Sequence, residues 1–354
     1  RRPRPRAPLL APTEPTPSPT ETAAADHLLE VDSLRVEFNV RSGVVVANDS
    51  LSYHLDAGET LAILGESGSG KSVSAQAVMG IIDSPPGYIT GGSIRYRGSE
   101  LLGMREHDRR AIRGRHISII FQDALSALNP VYSVGFQIAE MFRIHEGRSR
   151  KEAKQLAIEL MERVKIPAAK QRFGDYPHEF SGRMRQWVMI AIAIALNPDV
   201  LIADEPTTAL DVTVQAQVMQ LLAEIQAESG MGLILITHDL GVVAEVADRV
   251  AVMYAGRIVE TGTIHEIFER PRHPYTRGLM ESIPDLGAAA GTKLTPIPGS
   301  PPDLANRPGG CAFHPRCRMA REICATDDPP LFDLAAPGRQ SACHFHEEVT
   351  LERS

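Results

Sequence analysis

One stretch constrains this chain more than any other: Gly65-Glu66-Ser67-Gly68-Ser69-Gly70-Lys71-Ser72, a glycine, four residues, then Gly-Lys-Ser. That is the spacing of a loop that cradles phosphate. Glycines let backbone N–H groups turn inward around an anion with no Cβ in the way. The run Leu61–Leu64 before it is fully apolar, as in a strand buried on both faces of a parallel sheet. Ser72–Met79 after it reads as a helix, whose positive end faces the same anion. Lys71 is placed to reach terminal phosphates and the Ser72 hydroxyl to ligate Mg²⁺, with Gly65, Ser67, Gly68, Ser69, Gly70 and Val73 lining the turn. A glycine-rich structural turn has a similar composition, but the strand and helix on either side favour phosphate.

Val200-Leu201-Ile202-Ala203-Asp204-Glu205 supplies the acidic complement. Successive strand residues face opposite ways, so adjacent carboxylates take different tasks. Asp204 is expected to hold the Mg²⁺ shell, and Glu205 to orient and deprotonate an attacking water. Two acids after an apolar run are otherwise an ordinary solvated strand end. The phosphate loop turns the reading toward catalysis.

The 354 residues are 43% hydrophobic and 23% charged, a globular balance that excludes wholesale disorder and fibrous architecture. The net charge of −7 speaks against a generic nucleic-acid binder, which carries a basic excess. The longest apolar run, Trp187–Leu196, falls far short of the roughly 18 residues of a membrane span. Arg1–Thr20 lacks a continuous apolar stretch, so a secretory signal is not expected there and a cytosolic chain is.

Residues 1–26 are proline-rich and read as a disordered tail. Leu34–Phe38, Val44–Ala47 and Leu51–Leu55 read as short strands, and Ile117–Phe121, Val200–Ala203 and Leu233–Thr237 as buried ones. Lys151–Val164, Arg185–Leu196 and Val214–Ala227 have helical spacing. Strand–helix alternation predicts an α/β fold with a parallel-sheet core, a β-rich start and an inserted helical segment at about residues 125–185. Boundaries follow at 27–270 for this unit and 271–354 for a Pro- and Gly-rich C-terminal extension.

Further stretches fall in a fixed order: Gln122 after Ile119-Ile120-Phe121, Phe180-Ser181-Gly182-Arg183-Met184-Arg185-Gln186, Ala209-Leu210-Asp211, and His238 after Leu235-Ile236-Thr237. With the phosphate loop and acidic strand, the chain resembles the ABC ATPases. Asp204-Glu205-Pro206-Thr207-Thr208-Ala209-Leu210-Asp211-Val212-Thr213-Val214-Gln215 is similar to the ATP-binding subunits of dipeptide and oligopeptide importers. So are His273-Pro274-Tyr275-Thr276-Arg277-Gly278-Leu279 and Ile297-Pro298-Gly299-Ser300-Pro301-Pro302-Asp303-Leu304.

The resemblance implies an ABC-type fold, and ATP sandwiched between one subunit's phosphate loop and the other's signature segment. Ser181 and Gly182 would face the partner's nucleotide, and Asp211 would lie in the D-loop. Gln122 would sense Mg²⁺ and water, and His238 would hold the γ-phosphate in line. It further implies a heterodimer with a second ATPase subunit, two membrane permease subunits and an extracytoplasmic peptide-binding protein, with the chain peripheral on the cytoplasmic face. Nickel complexes or sugars as cargo, or a soluble ABC ATPase outside transport, are the alternatives.

Two positions depart from or strain the pattern. Arg183 stands where a second glycine is usual, which suggests an asymmetric pair whose Arg183 site is the weaker; an Arg183 side chain directed away from the phosphate is the other reading. Phe38 is the nearest candidate for stacking on adenine, although an ordinary core role also suits it.

All four cysteines, Cys311, Cys317, Cys324 and Cys343, fall in the extension. Their clustering favours a metal over a disulfide framework, and their spacing is too loose for a zinc ribbon. Four thiolates suit either Zn²⁺ or an iron–sulfur cluster. The resemblance points to a 4Fe–4S cluster.

Overall fold

A computed structural model describes residues 27–208, 211–282 and 296–351. The expected tail at 1–26 and Ala209-Leu210 of the D-loop stretch lie outside the described residues. Strands occur in the order β1 (Leu29–Val40), β2 (Gly43–Leu55), β3 (Thr60–Leu64), β4 (Gly87–Tyr96), β5 (Ser99–Glu100) and β6 (Ile117–Ile120). They continue with β7 (Val200–Asp204), β8 (Gly232–Thr237), β9 (Arg249–Tyr254), β10 (Arg257–Thr263), β11 (Phe332–Asp333) and β12 (Gln340–Ser341).

These strands form two sheets. An antiparallel one runs β2-β1-β4-β5, and a mixed one runs β11-β12-β10-β9-β3-β8-β7-β6. In the mixed sheet β9, β3, β8, β7 and β6 are parallel. Their apolar runs are the reason. Every residue of β3, β7 and β8 is buried, because helices cover one face and the antiparallel sheet with the helix Lys71–Met79 the other. Truncating a residue such as Leu61, about 1% exposed, to Ala is worth about 2–5 kcal/mol in a core of this kind.

The parallel order has a direct consequence for function. All carboxyl ends of β3, β6, β7 and β8 emerge along one edge, where ligands of open α/β sheets bind. Residues 65–72, 121–123, 205–208 and 238–239 leave those ends side by side.

The helical insertion holds Ala124–Ala127, Val134–His145, Arg150–Arg163 and Ala169–Arg172, and the helix Gly182–Ile194 leads back to the sheet. Ser149 and Glu152 form a reciprocal cap that starts Arg150–Arg163.

One expectation needs correcting. Val44–Ala47 and Leu51–Leu55 are a single strand, β2, not two. The polar residues between them pass through a bulge: Leu34 pairs with Leu51 but Val36 with Asn48. Asn48 and Asp49 are buried there, Asn48 donating its amide to Gly70 O while its Oδ1 has no hydrogen-bond partner among the described residues. Asp49 accepts from Arg35 at 2.6 Å, Arg257 at 2.8 Å and Arg307 at 3.0 Å. Residues from 296 onward also join the mixed sheet, where Ser341 of β12 pairs with Glu260 of β10.

Candidate functional site

The loop after β3 is held from several sides. A Cβ on Gly65 would lie 2.3 Å from the Met253 carbonyl, and one on Gly70 2.3 Å from the Ala47 carbonyl. Gly70 also sits at φ +99°, where a side chain is strained. Asn48 Nδ2 donates to Gly70 O at 3.1 Å, and Gly256 N–H to Ser69 O at 3.0 Å. Ser67 and Gly68 stay exposed at the tip, and Val73 follows in the helix Lys71–Met79, half-buried against the core.

Lys71 is 4% exposed, and its ammonium donates to Gly65 O at 2.7 Å and Glu66 O at 3.0 Å. Burial lowers its pKa, while the charges of Glu205 and Asp204 oppose that shift. Ser72 Oγ donates to Asp204 Oδ1 at 2.9 Å. Burial raises the Asp204 pKa, with the neighbouring Glu205 adding to it and Ser72 and Lys71 pulling the other way. A buried carboxylate and a hydroxyl beside an ammonium form a pair of hard oxygen donors, the set Mg²⁺ takes.

Glu205 is the hub of the adjoining cluster. Its N–H donates to Ile236 O at 2.8 Å, the last rung between β7 and β8, and its backbone then turns to φ +47°. A non-glycine residue in that region costs on the order of 1 kcal/mol or more and is held by its surroundings. Gln122 Nε2 donates to Glu205 Oε2 at 2.9 Å, and Thr208 Oγ1 to the same oxygen at 2.8 Å. His238 Nδ1 lies 3.4 Å from Glu205 Oε1. Gln122, the adjacent pair Asp204 and Glu205, and His238, from three separate strand ends, are thus brought together beside Lys71 and Ser72.

The other expected residues lie elsewhere. Ser181 and Gly182 are exposed at the start of Gly182–Ile194, where Ser181 Oγ accepts from Met184 N–H at 3.3 Å and a Cβ on Gly182 would meet nothing within 4 Å. Arg183 is exposed in the same turn. Gln186 Nε2 donates to Pro206 O at 2.6 Å, tying this helix to the turn after Glu205. Asp211 caps Val212–Ser229 by accepting from Val214 N–H at 3.0 Å. Phe38 is half-buried, its ring over Gly87 beside Ile82, on the strand next to the one that supplies Asn48.

Cys311, Cys317, Cys324 and Cys343 line one cavity. Burial pushes the Cys311 thiol up to about 11 and the Cys343 thiol up to about 12, with neighbouring cysteines adding to it. Phe345 N–H donates to Cys343 Sγ at 3.4 Å.

Asn48, Thr208, Tyr275 and Arg316 were missed from the sequence. Tyr275 Oη accepts from Glu66 N–H at 2.9 Å, and Arg316 reaches the Glu66 carboxylate. Thr208 and Tyr275 carried a signal, inside the Asp204–Gln215 and His273–Leu279 stretches.

Residues 48–208 match the sequence profile of a family described as ABC transporter. Residues 259–324 match one described as the C-terminal region of oligopeptide/dipeptide transporters. The oligopeptide transport ATP-binding protein OppD of Bacillus subtilis is 53% identical over 309 residues, 87% of this chain and 86% of that protein. The dipeptide transport ATP-binding protein DppD of Escherichia coli is 48% identical over 318 residues, 90% of this chain and 96% of its own length. Among solved structures, the dimeric bacterial ABC transporter cassette MJ0796 superposes with a TM-score of 0.61 at 23% identity, over 67% of this chain and 98% of its own. The Clostridium perfringens cbiO1 gives 0.57 at 29% identity, over 69% of this chain and 91% of its own.

Proposed function

This chain belongs to the ATP-binding proteins of oligopeptide and dipeptide ABC transporters, and from that premise we propose that it hydrolyses ATP at the 65–72 loop to drive import of short peptides. The carrying observation is the convergence of Gln122, Thr208 and His238 on the Glu205 carboxylate, next to Asp204 and Ser72. Glu205 orients and accepts a proton from the attacking water, Gln122 fixes that carboxylate, and His238 stands on its other oxygen to hold the γ-phosphate. Lys71 turns from the loop carbonyls to the phosphates. Ser69 Oγ is buried without a hydrogen-bond partner among the described residues, and a phosphate oxygen supplies one. Ser72 and Asp204 would hold Mg²⁺, which neutralises developing charge on the phosphates.

The dimeric solved cassette supports pairing with a second ATPase subunit, with Ser181, Gly182 and Asp211 exposed toward it and helix dipoles favouring its nucleotide. Phe38 would stack on the adenine. Two permease subunits and an extracytoplasmic peptide-binding protein complete the assembly, and no helix among the described residues is long and apolar enough to cross a membrane. By likeness to the peptide-transport ATP-binding proteins the chain would sit peripherally on the cytoplasmic face, with residues 27–270 as the ATPase unit and 271–354 as its C-terminal extension.

The four cysteines lining one cavity would hold a 4Fe–4S cluster, with Zn²⁺ as the alternative occupant. The test of the whole reading is ATP-dependent peptide uptake by the reconstituted transporter, abolished by Glu205→Gln.

A further inference from the structure

Both C-terminal stretches singled out in the sequence end at one residue of the phosphate loop. Arg316 Nη1 donates to Glu66 Oε2 at 2.7 Å and Nη2 to Oε1 at 3.0 Å, a two-pronged grip on the carboxylate. Arg316 itself is 7% exposed and fixed on every side. Its Nε donates to Pro298 O at 2.9 Å, in the 297–304 stretch, and its guanidinium lies 5.8 Å from the Tyr254 ring centre and 5.9 Å from that of Phe313.

The other stretch delivers Tyr275. Glu260, fully buried, accepts from Arg272 N–H at 2.6 Å and His273 N–H at 2.9 Å. His273 Nδ1 then accepts from Tyr275 N–H at 3.1 Å at the start of Pro274–Glu281. That turn aims Tyr275 Oη at Glu66 N–H. The same Glu66 offers its carbonyl to Lys71. Side chain, N–H and carbonyl of Glu66 are all engaged, two of them by residues more than 200 positions away.

We propose that Tyr275 and Arg316 are positioning residues that clamp Glu66 and so hold the phosphate loop in its nucleotide-ready shape. The nucleotide site is thereby dependent on the C-terminal segment of its own chain. Neither residue touches nucleotide; each acts through Glu66 and Lys71. The clamp rests on the ATP reading above.

The experiment titrates a fluorescent ATP analogue into wild type, Glu66→Gln and Tyr275→Phe, and measures KM and kcat for ATP in the assembled transporter. Both substitutions preserve shape, and thermal melting verifies that each variant is folded. Expected for Tyr275→Phe, which lies outside the loop, is a Kd and KM raised severalfold with kcat at saturating ATP within about twofold, and for Glu66→Gln a larger rise in Kd and KM, about tenfold. Folded variants whose Kd and KM match wild type, or whose kcat falls with KM unchanged, overturn the clamp. A wild type that binds no analogue overturns the ATP reading instead.

Discussion

Gln122 donates its side-chain amide to Glu205 Oε2 across 2.9 Å, joining the end of β6 to the end of β7. The bond leaves Oε1 turned toward His238 and aligns the carboxylate that would take the water's proton. Glu205→Gln keeps the shape and removes the base. ATP hydrolysis is expected to fall by about 10²- to 10³-fold with nucleotide affinity retained. Phosphate-release and equilibrium-binding assays on the same preparation check both halves.

Arg183 gives the paired enzyme an expected asymmetry. It is exposed in the first turn of Gly182–Ile194, on the surface proposed to serve the partner subunit's nucleotide. Removing the catalytic glutamate from this chain should cost more activity than the same change in the partner subunit. Equal losses in the two assemblies would contradict it.

Burial pushes the Glu260 carboxyl from 4.5 up to about 7, although the Arg272 and His273 N–H groups and the Arg339 charge pull it down. An acid raised in this way contributes stability fully below its ordinary pKa and loses it as pH climbs through the folded value. His273 behaves oppositely: burial depresses it from 6.5 to about 3, so its contribution is present above 6.5 and is lost as pH falls. Glu260→Gln deletes only the first effect. Relative to wild type, the variant's urea midpoint should drop between about pH 8 and about pH 5. A constant offset between the two proteins would refute the assignment.

Much of the site was legible because its signals are local. Asp204 ends an apolar strand, Glu205 and His238 directly follow one, and Lys71 closes the glycine-rich loop after another, so strand and motif identify one another. Asn48 was not, since a polar residue inside β2 reads as a break until Gly70 is seen to need it. Arg316 and Glu66 are separated by 250 positions, and no periodicity records such a pairing. The role of the His273–Leu279 stretch was hidden for the same reason, although its presence was plain.

The thiol-lined cavity carries its own test. Anaerobically purified protein should show visible charge-transfer absorbance that bleaches with dithionite, and about four irons per chain. Cys317→Ser should lose both. Colourless protein holding a single zinc would replace the cluster with a zinc site.

The Lys71 ammonium, set against the carbonyls of Gly65 and Glu66, is the group expected to grip the triphosphate. Phosphate release from MgATP by the assembled transporter, wild type against Lys71→Ala, measures this directly. The expected result is steady release by wild type and a loss of about 10²-fold or more in the variant. Undiminished release without Lys71 would contradict the account.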